Sequence, residues 1–225
     1  MEGVVILHET IHELHTKKQD GVIFKIDFEK AYDKVKWSFL QQTLRMKGFS
    51  PKWCRWIEEM IKGGSVGVKV NDDVGHYFQT KRGLRQGDPM SPILFNIVAD
   101  MLAILIKRAK DDGQIRGVIP HLVDDGLLIL QYAYATILFL DYDIEQAKNM
   151  KFLLSVFEQM SGLKINFHKV KSFAMDKRNS LKKIILNSLD AMLVSIPLDI
   201  LGSQCIIDNS LIMIVGKSKN VSKRS

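Results

Sequence analysis

The fold depends first on residues 126–140, which are almost entirely apolar apart from a short interruption at residues 133–135. Two apolar runs separated by so short a break are typical of two strands that meet at a tight turn. Residues 22–28 are also short and rich in β-branched and aromatic side chains, which predicts a buried strand that ends near Asp27. The sequence therefore predicts a hairpin and a separate strand, which together exclude a purely helical fold.

Helices are predicted between these strands, so the two kinds of element alternate irregularly. Several segments repeat apolar residues every three to four positions, as one side of a helix does. Ser50 and Ser91 each precede a proline, which is the chemistry of a helix N-terminus. The predicted helices cover residues 4–17, 37–47, 51–62, 91–109 and 145–160, and residues 65–70 and 76–80 alternate as a further strand pair.

The composition is that of a soluble globular protein, with 46% apolar and 25% charged residues. The formal net charge of +7 suits a polyanionic partner such as nucleic acid. Cys54 and Cys205 lie too far apart for a metal knuckle and are too few for a disulfide framework. The longest apolar runs contain polar residues, so neither is expected to cross a membrane, and we expect an intracellular protein.

One metal-site motif occurs near the N-terminus, where residues 8–12 read His-Glu-x-x-His. Two imidazoles four residues apart on a helix can share a zinc ion, with Glu29 as a conceivable third ligand. The favoured interpretation is an amphipathic helix that exposes His8, Glu9 and His12. Its apolar side would consist of Val4, Leu7, Ile11 and Leu14.

Two further segments carry residue types suited to binding. Asp27 ends a predicted strand, where a carboxylate is held rigidly and the following loop leaves space for a divalent cation. Residues 83–92 read GLRQGDPMSP, in which Arg85 can contact phosphate and Gln86 can form hydrogen bonds. The helix that starts at Ser91 offers N-terminal amides that favour anions. This segment predicts a platform for a nucleotide or a nucleic acid.

These segments together resemble the reverse transcriptases of non-LTR retrotransposons, particularly the LINE-type elements of plants. Residues 24–33 (FKIDFEKAYD) are similar to the first palm motif of that family, and residues 83–92 are similar to its second. Residues 161–169 (SGLKINFHK) resemble the fourth motif, although Val170 stands where the family usually has serine. The resemblance covers residues 4–172 and becomes loose after Asp176.

The resemblance implies an α+β fold, the right-hand palm of a reverse transcriptase, in which helices back an antiparallel sheet. Residues 1–175 would form the palm with partial fingers, and residues 176–215 a degenerate remnant of the thumb side. Residues 216–225 are basic and poor in apolar residues, so we expect a disordered tail. The activity implied is RNA-templated DNA synthesis, with an RNA template, a DNA primer and deoxynucleoside triphosphates as partners and Mg²⁺ as cofactor.

The resemblance also assigns roles to individual residues. Asp27 matches the first metal-binding catalytic carboxylate, and the carbonyl of Phe28 would accompany it. Tyr32 stands at the position of the gate against a ribose 2′-hydroxyl. Lys169 matches a lysine that protonates the leaving pyrophosphate, with a solvated surface lysine as the alternative. The residues that match the contacts to nucleotide and template are Arg85, Gln86 and Gly87.

The third family motif departs from its pattern, because Tyr134 and Ala135 stand where the family has Asp-Asp. Neither side chain can bind Mg²⁺ at neutral pH, since a phenol stays protonated and alanine has no donor. The nearest other aspartates would lie roughly 20 to 30 Å away along the strands. These are Asp124, Asp125, Asp141 and Asp143. We therefore expect metal binding to be weak or lost and the enzyme to be inactive, with a non-catalytic nucleic-acid-binding module as the alternative.

Overall fold

The computed structural model describes residues 2–17, 19, 21–123, 126–132, 135–141, 143–165 and 171–175. They all belong to the first of two compact units, residues 1–195. Tyr134, Lys169, the expected thumb-side remnant and the expected basic tail lie outside the described residues.

Helices and strands alternate along the chain, as expected. The helices are α1 (Glu2–Thr16), α2 (Ala31–Lys34), α3 (Trp37–Met46), α4 (Pro51–Lys62), α5 (Ser91–Asp111) and α6 (Ile144–Ser161). The strands are β1 (Gly21–Ile26), β2 (Phe28–Glu29), β3 (Ser65–Val66), β4 (Lys69–Val70), β5 (Asp73–Val74), β6 (Phe78–Gln79), β7 (Ile129–Tyr132), β8 (Ala135–Asp141), β9 (Lys164–Ile165) and β10 (Lys171–Met175). Among the described helices, none combines the length and the apolar character that a membrane crossing requires.

The central element is an antiparallel sheet of four strands in the order β10-β1-β8-β7. Strands β7 and β8 pair from Ile129 with Leu138 to Tyr132 with Ala135, so the hairpin predicted for residues 126–140 is confirmed. Strand β1 lies between β8 and β10, and both of its edges are therefore paired. A strand that is paired on both edges holds the residue that follows it more rigidly than an edge strand would.

The two faces of the sheet are covered by different helices. On one face, Ile23 and Phe139 belong to a buried cluster with Leu14 of α1. Alternate strand residues point to the other face, where α6 packs on β8 and where α3, α5 and α6 contact one another. Phe157 of α6 is fully buried there and contacts the ring of Phe39 edge-on at 6.1 Å. The sheet is therefore packed between two apolar layers.

Of the two serines expected at helix starts, only Ser50 caps its helix; α5 begins with Ser91 inside the helix and has no side-chain cap. Ser50 accepts a hydrogen bond from the backbone N–H of Trp53, and Asp143 accepts one from Glu145. The expected apolar side of α1 is wrong in one position, because Ile11 is 40% exposed while Thr10 is buried. Thr10 fits there because its hydroxyl donates to the carbonyl of Ile6 at 2.7 Å, so no polar group is left unsatisfied.

The strand pair predicted between α4 and α5 is broken into two short ladders. Strand β3 pairs with β6 and β4 pairs with β5, around a turn in which Asn71 and Asp72 both have positive φ. The register changes by one residue between the ladders, which leaves two residues opposite Gly67, as in a β-bulge. Every strand residue in this pair is exposed.

Candidate functional site

Asp27 leaves the sheet directly after β1, as predicted. The last residue of β1, Ile26, pairs with Thr136 of β8, and Ala135 is the first residue of β8. Continuing this antiparallel register by one residue sets Asp27 opposite Ala135. This register would place Asp27 of the first motif beside the turn end of the hairpin that carries the third motif.

The residues that follow Asp27 pack into the protein. The Phe28 ring lies 6.1 Å from that of Phe157, and the Tyr32 ring stacks on Phe95 at 5.0 Å. Phe28 and Tyr32 are both half-buried. Stacking on a helix fixes the tyrosine ring in one orientation, which a residue acting as a gate would need.

Backbone hydrogen bonds join the second motif directly to the first. The N–H of Gly83 donates to the carbonyl of Val35 at 2.8 Å, and the N–H of Leu84 donates to Tyr32 at 2.7 Å. The indole N–H of Trp37 donates to the carbonyl of Gly83 at 2.7 Å. These three bonds hold the backbone of residues 83–84 against the segment that follows Asp27.

The close approach at Gly83 explains why a glycine stands there. Its φ of +92° lies in the left-handed region, and a Cβ would meet the carbonyl oxygen of Asp33 at 2.9 Å. A side chain would therefore be strained and would also clash with the backbone. Gly87 has a similar φ of +89°, which favours glycine, but no atom lies within 4 Å of a Cβ there.

A cavity of about 660 Å³ lies beside the second motif. Arg85 and Gln86 line it, whereas Asp27, Phe28, Tyr32 and Gly87 do not. The other lining residues come from α2, from the end of α4 and the residue Gly64 that follows it, from β3 and β6, from the loop that leads into α5, and from the start of α5. They are Asp33, Met60, Ile61, Gly64, Val66, Phe78, Gln79, Thr80, Lys81, Arg82, Gly83, Leu84, Asp88 and Ser91.

The cavity presents cations, while its carboxylates accept hydrogen bonds from the protein. The Gln86 amide donates to Asp33 at 3.2 Å, and the N–H of Met90 donates to Asp88 at 2.9 Å. Three cationic side chains line the same cavity and are exposed: Lys81, Arg82 and Arg85. The arrangement suits an anionic chain such as a nucleic-acid backbone.

A sequence model described as "Reverse transcriptase (RNA-dependent DNA polymerase)" matches residues 2–205. The chain belongs to the reverse transcriptase family. It is 29% identical over 101 residues to the retrovirus-related Pol polyprotein of the type-2 retrotransposable element R2DM from Drosophila melanogaster, covering 45% of this chain and 10% of that protein. It is 25% identical over 173 residues to the transposon TX1 uncharacterized 149 kDa protein from Xenopus laevis, covering 75% of this chain and 12% of that protein.

The fold agrees with this family. Telomerase from Candida tropicalis, solved with a TWJ fragment of telomeric RNA, superposes with a TM-score of 0.56 at 16% identity, covering 78% of this chain and 29% of that one. The predicted α+β reverse-transcriptase fold is thus confirmed, as is the similarity to non-LTR retrotransposon proteins. The chain spans only about a tenth of the two retroelement relatives, which are 10% and 12% covered.

Reverse transcriptases generally use Mg²⁺, and the donors around Asp27 can be compared with that need. Within the described ranges, no group of three or more His, Cys, Asp or Glu side chains is arranged to hold a metal ion. Asp141 pairs with Gly21 at the far end of β8, roughly 20 Å from Ala135 at the usual rise per strand residue. Asp143 caps α6. The described donors therefore do not fit a two-metal centre.

The zinc motif on α1 has no third ligand among the residues that the structure describes. His8, Glu9 and His12 are exposed, as the amphipathic interpretation requires. Glu29 lies 3.8 Å from the ammonium of Lys164. The structure thus gives no support to a zinc site in this reverse-transcriptase domain.

Sequence reasoning missed at least three contributors to the cavity. Lys81 and Arg82 directly precede the second motif, and their adjacent charges were the available signal. Gly64 also lines the cavity beside Arg85. No local pattern could have shown this, because the contact joins residues far apart in the reverse-transcriptase chain.

Proposed function

We propose that this chain is the reverse-transcriptase domain of a non-LTR retroelement, of the plant LINE type that its motifs resemble, and that it has lost nucleotidyl transfer. One observation supports the proposal: the β1–β8 register pairs Ile26 with Thr136, and continuing it by one residue would set Ala135 opposite Asp27. In the sequence, Tyr134-Ala135 stands where the family has the Asp-Asp pair that would accompany Asp27. Asp27 alone would have to hold ions that the family holds with three carboxylates.

The expected size of the defect follows from the chemistry. Metal ions activate the primer hydroxyl and neutralise the charge that develops on the triphosphate, which is worth several kcal/mol. Each loss of about 1.4 kcal/mol slows the reaction tenfold. Loss of two of three carboxylates should therefore lower turnover by at least a few orders of magnitude, below detection in an ordinary assay.

Primer extension on an RNA template with Mg²⁺ tests this proposal. The protein is compared with the Tyr134→Asp/Ala135→Asp double variant, and Asp27→Ala is made in each background. We expect extension only in the double variant and expect Asp27→Ala to abolish it. Extension by the unaltered protein that depends on Asp27 would contradict the proposal.

Lys169 can be tested in the same restored background. If it protonates pyrophosphate, Lys169→Ala should lower kcat more than it weakens nucleotide binding, because proton transfer occurs only in the reaction step. A solvated lysine would leave kcat unchanged. Lys148→Ala, at an exposed lysine on α6, is the matched control.

A second function, binding of nucleic acid without chemistry, is supported by the cavity beside the second motif. Its exposed cations, Lys81, Arg82 and Arg85, face a space of about 660 Å³ that needs no metal ion to attract phosphates. Binding of an RNA–DNA hybrid at low salt, measured by fluorescence anisotropy, tests this function. Absence of binding by the purified, folded chain would exclude it.

A further inference from the structure

Gly64 lies directly under the guanidinium group of Arg85. A Cβ built on Gly64 would overlap the Nη2 atom of Arg85 and would lie 3.2 Å from both its Cζ and its Nε atoms. All three atoms belong to the planar guanidinium, so that group rests against the Cα of Gly64. Gly64 is buried and has no positive φ, so the need for glycine here comes from this contact and not from the backbone angle.

The backbone of Arg85 is held independently of its side chain. The preceding residue, Leu84, is only 4% exposed and donates its N–H to Tyr32 at 2.7 Å. The backbone of Arg85 is therefore held by the second motif, and its guanidinium packs against Gly64. Fixing a long side chain in advance lowers the entropy lost when it binds a ligand.

The guanidinium is also available for an anion. It forms no hydrogen bond or ion pair with any other residue that the structure describes. The two carboxylates in the same cavity, Asp33 and Asp88, accept hydrogen bonds from Gln86 and Met90. A planar guanidinium presents paired N–H donors that match two oxygens of a phosphate.

We propose that Gly64 is a positioning residue that seats the Arg85 guanidinium against the cavity wall, where it binds a backbone phosphate of nucleic acid. This inference rests on the nucleic-acid-binding function proposed above and assigns that function a residue outside the family motifs quoted from the sequence. Gly64 touches no ligand itself. It acts because only glycine leaves room for the guanidinium.

A double-mutant cycle in hybrid binding tests the inference. Gly64→Ala should weaken binding of an RNA–DNA hybrid on the order of tenfold, close to the effect of Arg85→Ala, because one charged hydrogen-bonding contact is lost. In the Arg85→Ala background, Gly64→Ala should have no further effect. Gly75→Ala is the matched control, since a Cβ there would meet only the carbonyl of Val68 at an ordinary 3.5 Å. It should bind as the unaltered chain does.

The possible results distinguish failure of this inference from failure of the nucleic-acid-binding function on which it rests. Equal losses for Gly64→Ala in both backgrounds would overturn the positioning role, and so would no loss in either, while hybrid binding itself stands. Failure of the unaltered chain to bind the hybrid at low salt would overturn both proposals. Thermal unfolding of each variant shows whether the fold persists, which we expect because only the end of a flexible side chain must move.

A second measurement needs no variant at Gly64. The ¹H–¹⁵N NOE of the Arg85 Nε–H group, assigned by its absence in Arg85→Ala, reports motion of the guanidinium in the ligand-free chain. We expect Arg85 to be more rigid than Arg55, which is exposed on α4. Equal mobility of the Arg85 and Arg55 guanidinium groups would overturn the proposed positioning role of Gly64, even if Gly64→Ala failed to fold.

Discussion

Among single residues, Gly162 allows two motifs to pack together because glycine has no side chain. It ends α6 with a φ of +79°, and a Cβ there would overlap the carbonyl oxygen of Lys34 and lie 3.0 Å from Cγ of Lys36. Only a glycine at position 162 leaves room for the segment after α6 to lie this close to the segment that follows Asp27. The N–H of Lys36 completes the contact by donating to Ser161 at 2.8 Å.

Gly162→Ala should consequently destabilise the protein by about 2 kcal/mol or more. The left-handed backbone alone costs an alanine about 1 kcal/mol, and the overlap with Lys34 adds to it. Gly113→Ala is the control, because its φ of +72° is similar while no atom lies within 4 Å of its Cβ. Urea denaturation measures both losses. An equal loss for the two variants would mean that the contact with Lys34 contributes nothing.

At the scale of elements, the β1–β8 register has an electrostatic consequence. Three carboxylates at one end of a sheet repel each other without metal, and two of the three are absent here. Tyr134→Asp/Ala135→Asp should therefore lower the free energy of unfolding in metal-free buffer by about 1 to 2 kcal/mol. Adding Asp27→Ala to that variant should recover part of the loss. A more stable double variant in chemical denaturation would contradict this expectation.

A half-buried carboxyl joins α6 to the β2–β9 pair. Glu158 accepts a hydrogen bond from the N–H of Ile165, and Lys164 and Glu29 are the charged neighbours. Burial raises the pKa of Glu158 above its usual 4.5, although the hydrogen bond and Lys164 act against the shift. The stability that this raised pKa provides is full below pH 4.5 and is lost as the pH rises through the folded-state value.

Glu158→Gln should remove this pH dependence, because glutamine keeps an acceptor oxygen but never ionises. We expect the variant to gain stability relative to the unaltered protein as the pH rises above 4.5, as measured by denaturation at each pH. Glu59→Gln, at an exposed carboxylate on α4, is the matched control. Parallel loss of stability in the protein and in Glu158→Gln would show that Glu158 is not the titrating group.

The elements also show which parts of the fold a sequence can reveal. Strand β1 and the β7–β8 hairpin were predictable because their apolar residues are continuous and short. The β2–β9 pair was not, because two-residue ladders have no periodicity to detect. The candidate site was also predictable only in part. Asp27, Arg85 and Gln86 were identified from their motifs, whereas the packing of the Arg85 guanidinium on Gly64 is a contact between residues distant in sequence. Glycine carries no chemical signal of its own, so only its neighbours reveal such a role.

At the scale of the whole molecule, the net charge of +7 draws polyanions to the protein, but the position of the charge decides what is bound. Lys81, Arg82 and Arg85 line one cavity, whereas other exposed cations are distributed over α4 and α5. If the cavity is the nucleic-acid site, equal charge removed from the two regions should have unequal effects.

The salt dependence of hybrid binding distinguishes these regions. Each phosphate contact adds about 0.9 to the slope of log affinity against log salt for B-form DNA, and a similar step is expected for a hybrid. The triple variant Lys81→Ala/Arg82→Ala/Arg85→Ala should therefore lower the slope by about 2 to 3. Lys52→Ala/Arg55→Ala/Lys107→Ala removes the same charge from exposed residues outside the cavity and should leave the slope nearly unchanged. Equal reductions in both triple variants would mean that net charge alone attracts the hybrid. A defined site loses phosphate contacts only when its own cations are removed, whereas attraction by net charge depends on the total charge.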